Sequence, residues 1–179
     1  MKFIVTADTQ LGLYSKFSEI NDDSLDLRWD SERFKKFKFK NIKPTNSLNF
    51  EVNNFIKLTK KLQSTQYQFV TILGDLINDY NSDSQYDKFQ EIICSNLNST
   101  NLHLIPGNHD MNEPPDKSSL DIYRRRFGED YYIKNYRDLR FVFLNSTLLR
   151  DHTLLRSEYN KQNKIIQAAL KNYSSDLFI

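Results

Sequence analysis

Three short runs gather polar side chains able to bind a metal or move a proton. They read Ala7-Asp8-Thr9-Gln10-Leu11-Gly12, Gly74-Asp75-Leu76-Ile77-Asn78-Asp79 and Pro106-Gly107-Asn108-His109-Asp110. Their polar side chains include Asp8, Gln10, Asp75, Asn108, His109 and Asp110. Oxygen and imidazole donors of this kind suit Mg, Mn, Fe or Zn, not the soft metals that thiolates select. A carboxylate on a tight glycine turn, such as Asp75, can bridge two cations. Two cations a few ångströms apart can hold a phosphate and a hydroxide for in-line displacement. A protonated histidine beside them can then give its proton to the departing oxygen. Taken singly, each run is commonplace: a Gly-Asp after a strand is usually only a turn. What carries the reading is that all three occur, in order, each directly after its own predicted strand.

Those strands come from the patterning. Phe3 to Ala7 is a short β-branched and aromatic run, read as a buried strand. Asn49 to Gln63 puts Val52, Phe55, Ile56, Thr59 and Leu62 on one helical face. Tyr67 to Leu73 is the next strand. Ser84 to Leu97 is a helix with Tyr86, Phe89, Ile92 and Ile93 inward, and Leu102 to Ile105 is the third strand. Ser118 to Phe127 reads as a helix. Tyr131 to Ile133 and Leu139 to Leu144 read as an antiparallel pair across an Asn-Tyr-Arg-Asp turn. Leu155 to Leu170 reads as an amphipathic helix with Tyr159, Ile166 and Leu170 on one side, and Leu177-Phe178-Ile179 as a strand begun and cut short. Strand–helix–strand repetition implies crossovers and a sheet with helices packed on it. Ligands in such sheets bind beyond the carboxyl ends of the strands, where all three polar runs would meet. Three of the four glycines fall in those runs, with Gly128 the exception.

Composition bounds the rest. The 179 residues suit a single domain with a real core, and 39% apolar content makes it globular. With 25 basic against 23 acidic residues there is no strong field to gather nucleic acid or a membrane surface. One cysteine, Cys94, cannot form an intrachain disulfide, which favours a reducing compartment. No apolar run approaches the roughly 20 residues of a membrane span. A cytoplasmic protein is the expectation.

The three runs resemble the calcineurin-like metallophosphoesterases, whose pattern is D-x-H, G-D-x-x and G-N-H-D/E followed by two later histidine motifs. Gly74-Asp75 and Gly107-Asn108-His109-Asp110 match in full, and Asp8-Thr9-Gln10 matches with Gln for His. Asp8-Thr9-Gln10-Leu11-Gly12-Leu13, Gly74-Asp75-Leu76-Ile77, Phe127-Gly128-Glu129-Asp130-Tyr131-Tyr132 and Phe143-Leu144-Asn145-Ser146 resemble a branch of that family containing a cytosolic serine/threonine protein phosphatase. The resemblance implies an α/β fold, a sandwich of mixed sheets flanked by helices, here truncated before its C-terminal strands. Residues 1–179 would be the N-terminal part of one such domain, with an irregular insertion near 14–47. It implies two divalent cations (Mn, Fe, Zn or Mg) and a phosphorylated substrate, with phosphoserine and phosphothreonine of proteins the class indicated. Asp8 is then a ligand of the first metal, Asp75 the bridging ligand and Asn108 a ligand of the second. His109 touches phosphate and protonates the leaving alkoxide, and Asp110 orients its imidazole. Gln10 departs from the family: its amide oxygen is a harder, weaker donor than imidazole. The later histidine motifs are not in this sequence. That leaves two ions sharing about three protein ligands, so the chain as given is expected to hold metal weakly. The alternative is a non-catalytic protein-binding module on the same fold with a degraded metal site.

Other features read as structural. Arg33-Phe34-Lys35-Lys36-Phe37-Lys38-Phe39-Lys40 interleaves cations with aromatics, but the chain is not otherwise basic, so a solvated face fits better than a nucleic-acid site. Arg124-Arg125-Arg126 reads as a solvated helix end, Trp29 as packing, Cys94 as a buried helix residue, and His103 and His152 as structural histidines. A cysteine phosphatase would need an arginine closely following Cys94, and an aspartyl-phosphate enzyme an acid at position 10; neither is present. There is no Walker A loop.

Overall fold

A computed structural model of the chain describes residues 1–13, 49–97 and 101–171. The expected insertion near 14–47, the Arg33–Lys40 run, Trp29 and Leu177–Ile179 lie outside them. Strands β1 (Ile4–Thr6), β2 (Val70–Leu73) and β3 (Leu102–Ile105) form one parallel sheet in the order β1-β2-β3. The register sets Val70 beside both Ile4 and Leu102, and Ile72 beside Thr6 and Leu104. Successive strand residues face opposite ways, so each strand serves two layers. Ile72, Leu102 and Leu104 face the helices, while Phe69 and Ile105 belong to a second apolar cluster on the other side.

Parallel neighbours cannot be joined by a hairpin, so the chain crosses back through helices. Helix α1 (Asn49–Gln63) precedes β2 and helix α2 (Asp83–Asn96) precedes β3. They pack together through Phe55 stacked on Phe89, ring centroids 5.2 Å apart. Ser82 caps α2 by accepting from the Gln85 amide. Helix α3 (Lys117–Phe127) opens with a capping box between Asp116 and Ser119 and closes at Gly128, whose φ of 97° lies in the region glycine adopts most readily. Among the described residues no helix is long and apolar enough to cross a membrane.

The second apolar cluster is capped by an antiparallel hairpin, β4 (Tyr132–Tyr136) and β5 (Leu139–Phe143). The expected four-residue turn is shorter. Arg137 takes φ 53°, and a two-residue Arg137-Asp138 connection lets the strands pair as far as Tyr136 and Leu139. His103 sits inside this aromatic layer, 5% exposed, and stacks on Phe143 at 4.6 Å between ring centroids. The Tyr132 hydroxyl donates to Leu104 O at 3.3 Å, so it accepts from His103 Nδ1 at 3.2 Å. The Nδ1–H tautomer follows, and Nε2 accepts from the Tyr136 hydroxyl at 2.6 Å.

Beyond the hairpin lie α4 (Ser146–Arg150), which the patterning missed, and α5 (Arg156–Lys171). Asn145 caps α4, accepting from the Thr147 and Leu148 amides. Leu170, grouped with Tyr159 and Ile166 on one side of this helix, is exposed; the buried residues of α5 are Gln162 and Ala169. Gln162 acts like a peptide group here: its Oε1 accepts from Asn145 N at 2.8 Å and its Nε2 donates to Asn145 O at 3.1 Å. Hydrophobic periodicity cannot register a buried amide of this kind. Two further expectations fail. Cys94 is exposed on α2, because Phe89, Ile92 and Ile93 take the inward face. Arg124 and Arg126 are not a solvated end. Arg124 bonds Asp130 and Glu158, both at 2.7 Å, and Arg126 bonds Asp83 and the Tyr80 carbonyl.

Burial, followed by the nearby Lys134 charge, holds the His103 imidazole below its ordinary 6.5. The unfolded chain therefore binds this proton more readily than the folded one. The stability that neutral His103 supports is complete above about pH 6.5 and is lost as pH falls through the lower folded value. His103→Gln should flatten the dependence of urea midpoint on pH between about 5 and 7; an unchanged slope would show that another group controls it.

Candidate metal centre

The rim is built by main-chain bonds between loops. Asp8 N–H donates to Gly74 O at 3.1 Å, Gln10 N–H to Asp75 O at 2.7 Å and Asn78 N–H to Leu11 O at 2.9 Å. Gly74 N–H donates to Ile105 O at 2.9 Å, tying the second loop to the third strand. The zipping forces unusual backbone. Asp8, Gln10 and Asp75 take φ of 55°, 38° and 49°; Arg137 is the only other non-glycine residue with positive φ among those described. Such conformations cost roughly 1–2 kcal/mol each in L-residues. Strain of this size concentrates where surrounding structure holds a site in place.

Two glycines allow the second and third loops to touch. A Cβ on Gly74 would lie 2.9 Å from Gly107 Cα, and one on Gly107 would lie 2.1 Å from Asp75 Oδ1. Asp110, 1% exposed, then clasps the two loops. Its Oδ1 accepts from Leu76 N and Ile77 N at 2.9 and 3.0 Å, and its Oδ2 from Gly107 N at 2.8 Å. Burial pushes this carboxyl up to about 7, against the downward pull of the Gly107, Ile77 and Leu76 amides. Asp110 was expected to orient His109, and it does not. That bond goes to the main chain of Asn78, whose carbonyl accepts from His109 Nδ1 at 2.9 Å.

Asp8 and Asp75 come together. Lost hydration, and after it the facing Asp75 carboxylate, raise Asp8 above its ordinary range, while His109 draws it back down. The main-chain N–H of His109 donates to Asp75 Oδ1 at 3.1 Å, so the third loop stands directly over this pair. Gln10 is turned toward Asn78, its Nε2 donating to Asn78 Oδ1 at 3.4 Å. Asn108 is exposed beside Gly107, and among the described residues no hydrogen bond joins its carboxamide to Asp8 or Asp75. A cleft of about 290 Å³ opens alongside, walled by Asp8, Thr9 and Gln10 on one side and Asn54, Phe55 and Leu58 of α1 on the other.

The family model for calcineurin-like phosphoesterases matches residues 1–176. The chain belongs to that family. No curated protein matches it closely enough to count. Calcineurin-like phosphoesterases are metal-dependent hydrolases of phosphate esters that generally use divalent cations. The parallel sheet, the antiparallel hairpin and the flanking helices are the mixed architecture the sequence indicated.

The donor set fits a divalent cation in kind and only partly in number. Two carboxylates set facing each other is an arrangement a dication relieves. Yet among the described residues no group of three His, Cys, Asp or Glu side chains could hold a metal ion. Asp8 and Asp75 would be the charged donors, with the Gln10 and Asn108 carboxamides as neutral ones. The residue that sequence reasoning missed is Asn78. It stood in the quoted second loop without a role, because a main-chain acceptor leaves no mark on residue type.

Two substitutions test this construction. Gly107→Ala drives a methyl into Asp75, and should destabilise the fold by about 1–3 kcal/mol or more in urea unfolding. Asp110→Asn puts an amide donor against N–H donors and should cost about 3 kcal/mol, since charge-assisted bonds are lost and buried donors stranded. If the Asp110→Asn midpoint matched wild type, the clasp would not be what joins the loops.

Proposed function

We propose that this chain is a phosphomonoesterase dependent on two divalent cations, acting on phosphoserine and phosphothreonine of proteins. The observation that carries the hydrolytic reading is the Asp8–Asp75 carboxylate pair with the His109 loop standing over it. Protein substrate rests on the likeness of Asp8-Thr9-Gln10-Leu11-Gly12-Leu13 to one branch of the family. A reducing, cytoplasmic setting fits a chain with a single cysteine.

Asp8 and Asp75 would hold the cations, which would supply charge neutralisation of the phosphate and activation of water. His109 is set up as the proton donor. Because Nδ1–H is committed to the Asn78 carbonyl, Nε2 is the nitrogen left to act on the leaving oxygen. Asp75 accepts from the main-chain N–H of the same residue, so this carboxylate and the acid stay in register. The cleft beside Asp8 leaves room for the alcohol part of the ester, with Leu58 and Phe55 giving it an apolar wall.

Hydrolysis of p-nitrophenyl phosphate and of a phosphoserine peptide, with added Mn²⁺, tests the proposal. Asp75→Asn should abolish turnover. His109→Gln should lower kcat by about 10²–10⁴-fold while leaving Mn²⁺ affinity close to wild type. Firm Mn²⁺ binding with no turnover of either ester would instead favour a non-catalytic binding module. Turnover of the small ester alone would remove the protein substrate and keep the hydrolase.

A further inference from the structure

Among the described residues, strand β3 has a strand neighbour on one side only. Residues along a strand turn their N–H and C=O groups alternately to its two edges. Ile105 O accepts from Gly74 N, so the main-chain groups of Ile105 and His103 serve β2, and those of Leu102 and Leu104 point to the open edge. Leu104 O takes the Tyr132 hydroxyl at 3.3 Å. The Leu102 carbonyl and the Leu104 N–H have no such partner among the described residues. They open into a cleft of about 360 Å³. Phe89 and Ile93 of α2 line it on the helix side of the sheet, and Tyr132 and Lys134 of β4 on the hairpin side. Its lining holds three charged groups, Arg126, Glu129 and Lys134. Arg126 is committed to Asp83 and the Tyr80 carbonyl. Glu129 and Lys134 are exposed, and among the described residues neither forms an ion pair. We propose that this edge is a docking site for an extended segment of a partner protein, added to the sheet beside β3 and carrying a carboxylate for Lys134 and a cation for Glu129.

An open strand edge is a template for any extended chain, and proteins blunt such edges with charge, proline or a cover. Leu102-His103-Leu104-Ile105 carries no lysine, acid or proline to blunt it. What it offers is a C=O and, two residues on, an N–H, the pair that a single residue of an added parallel strand bridges. The Tyr132 hydroxyl occupies the next acceptor, so main-chain pairing is short and the walls must supply selectivity. Side chains of an added strand alternate between those walls. The bridging residue stands level with His103, whose side chain faces the hairpin, and so it faces the hairpin too. Its two neighbours face α2, where Phe89 and Ile93 favour apolar side chains. Charged side chains belong on the hairpin side, where Lys134 Nζ lies 6.0 Å from the Tyr132 ring centroid. Main-chain bonds thus give affinity, and alternate side chains give choice of partner. The docking site stands apart from the metal-dependent reading.

Titrating two peptides into the ¹⁵N-labelled protein tests the proposal. They are Val-Lys-Val-Thr-Val-Glu-Val and its charge-swapped twin Val-Glu-Val-Thr-Val-Lys-Val, which place the acid at opposite ends. One of them should shift the Leu102 and Leu104 amide signals and slow hydrogen exchange at Leu104 N–H. Methylating the amide nitrogen of the central threonine should weaken that peptide by about 10-fold, because it removes a main-chain donor and keeps every side chain. Lys134→Glu should weaken it by about 2–5-fold, the worth of an exposed ion pair. Lys134 is exposed, so the hairpin should tolerate the change. Leu102 and Leu104 signals that stay in place with both peptides at millimolar concentration would overturn the proposal. A methylated peptide that binds as well as its parent would do the same, leaving an apolar cleft without strand pairing. Sedimentation that finds a dimer, with Leu104 N–H protected before any peptide is added, would give the edge to a second copy of this chain and remove the partner.

Discussion

The rest of the site depends on one close approach, that of the turn after β2 to the turn after β3. Gly74 and Gly107 meet at a separation no Cβ allows, and Asp110 fixes the contact with amides from both turns. Everything that could do chemistry hangs from this junction. Asp75 follows Gly74, His109 follows Gly107 by two residues, and the first loop is laced to the second by main-chain bonds. A parallel sheet makes the junction possible, because its strands deliver their carboxyl ends to one rim. Helix packing through Phe55 and Phe89 and the aromatic layer around His103 hold that sheet from both faces.

Electrostatics gives the junction its direction. Folding sets Asp8 against Asp75 although like charges resist it, and the first loop accepts left-handed backbone at Asp8 and Gln10 to do so. Sequences under selection for stability alone avoid both costs. Their coincidence at one point, on a chain whose family uses divalent cations, is the physical case for a metal centre. A second polar network stands behind it. Asp130 and Asn145 are buried, bond each other at 2.9 Å, and link Arg124, Gln162 and α4 to the hairpin. Met111, next to Asp110, packs on Asn145 through its sulfur at 3.6 Å, so this network reaches the third loop.

Much of this was legible in the residues. Periodicity placed the three parallel strands and the long helices, and glycine position marked the loops that converge. The resemblance found Asp8, Asp75 and His109, which the structure brings together. What stayed hidden was polar and local. The α4 cap at Asn145, the buried Gln162 and the Arg124 pairs are side chains doing the work of backbone partners, which apolar patterning does not register. Asp110 carries a family position, but its role follows from three amides that only the folded loops bring to it. Asn78 orients His109 through a carbonyl, an atom every residue has.

The most direct test of the account is an anomalous difference map from crystals of this chain equilibrated with Mn²⁺. The strongest peak is expected within coordination distance of both the Asp8 and Asp75 carboxylates, about 2.2 Å from each nearest oxygen. A peak absent from that pair in crystals where the carboxylates are well ordered, or one found only elsewhere on the surface, would contradict it.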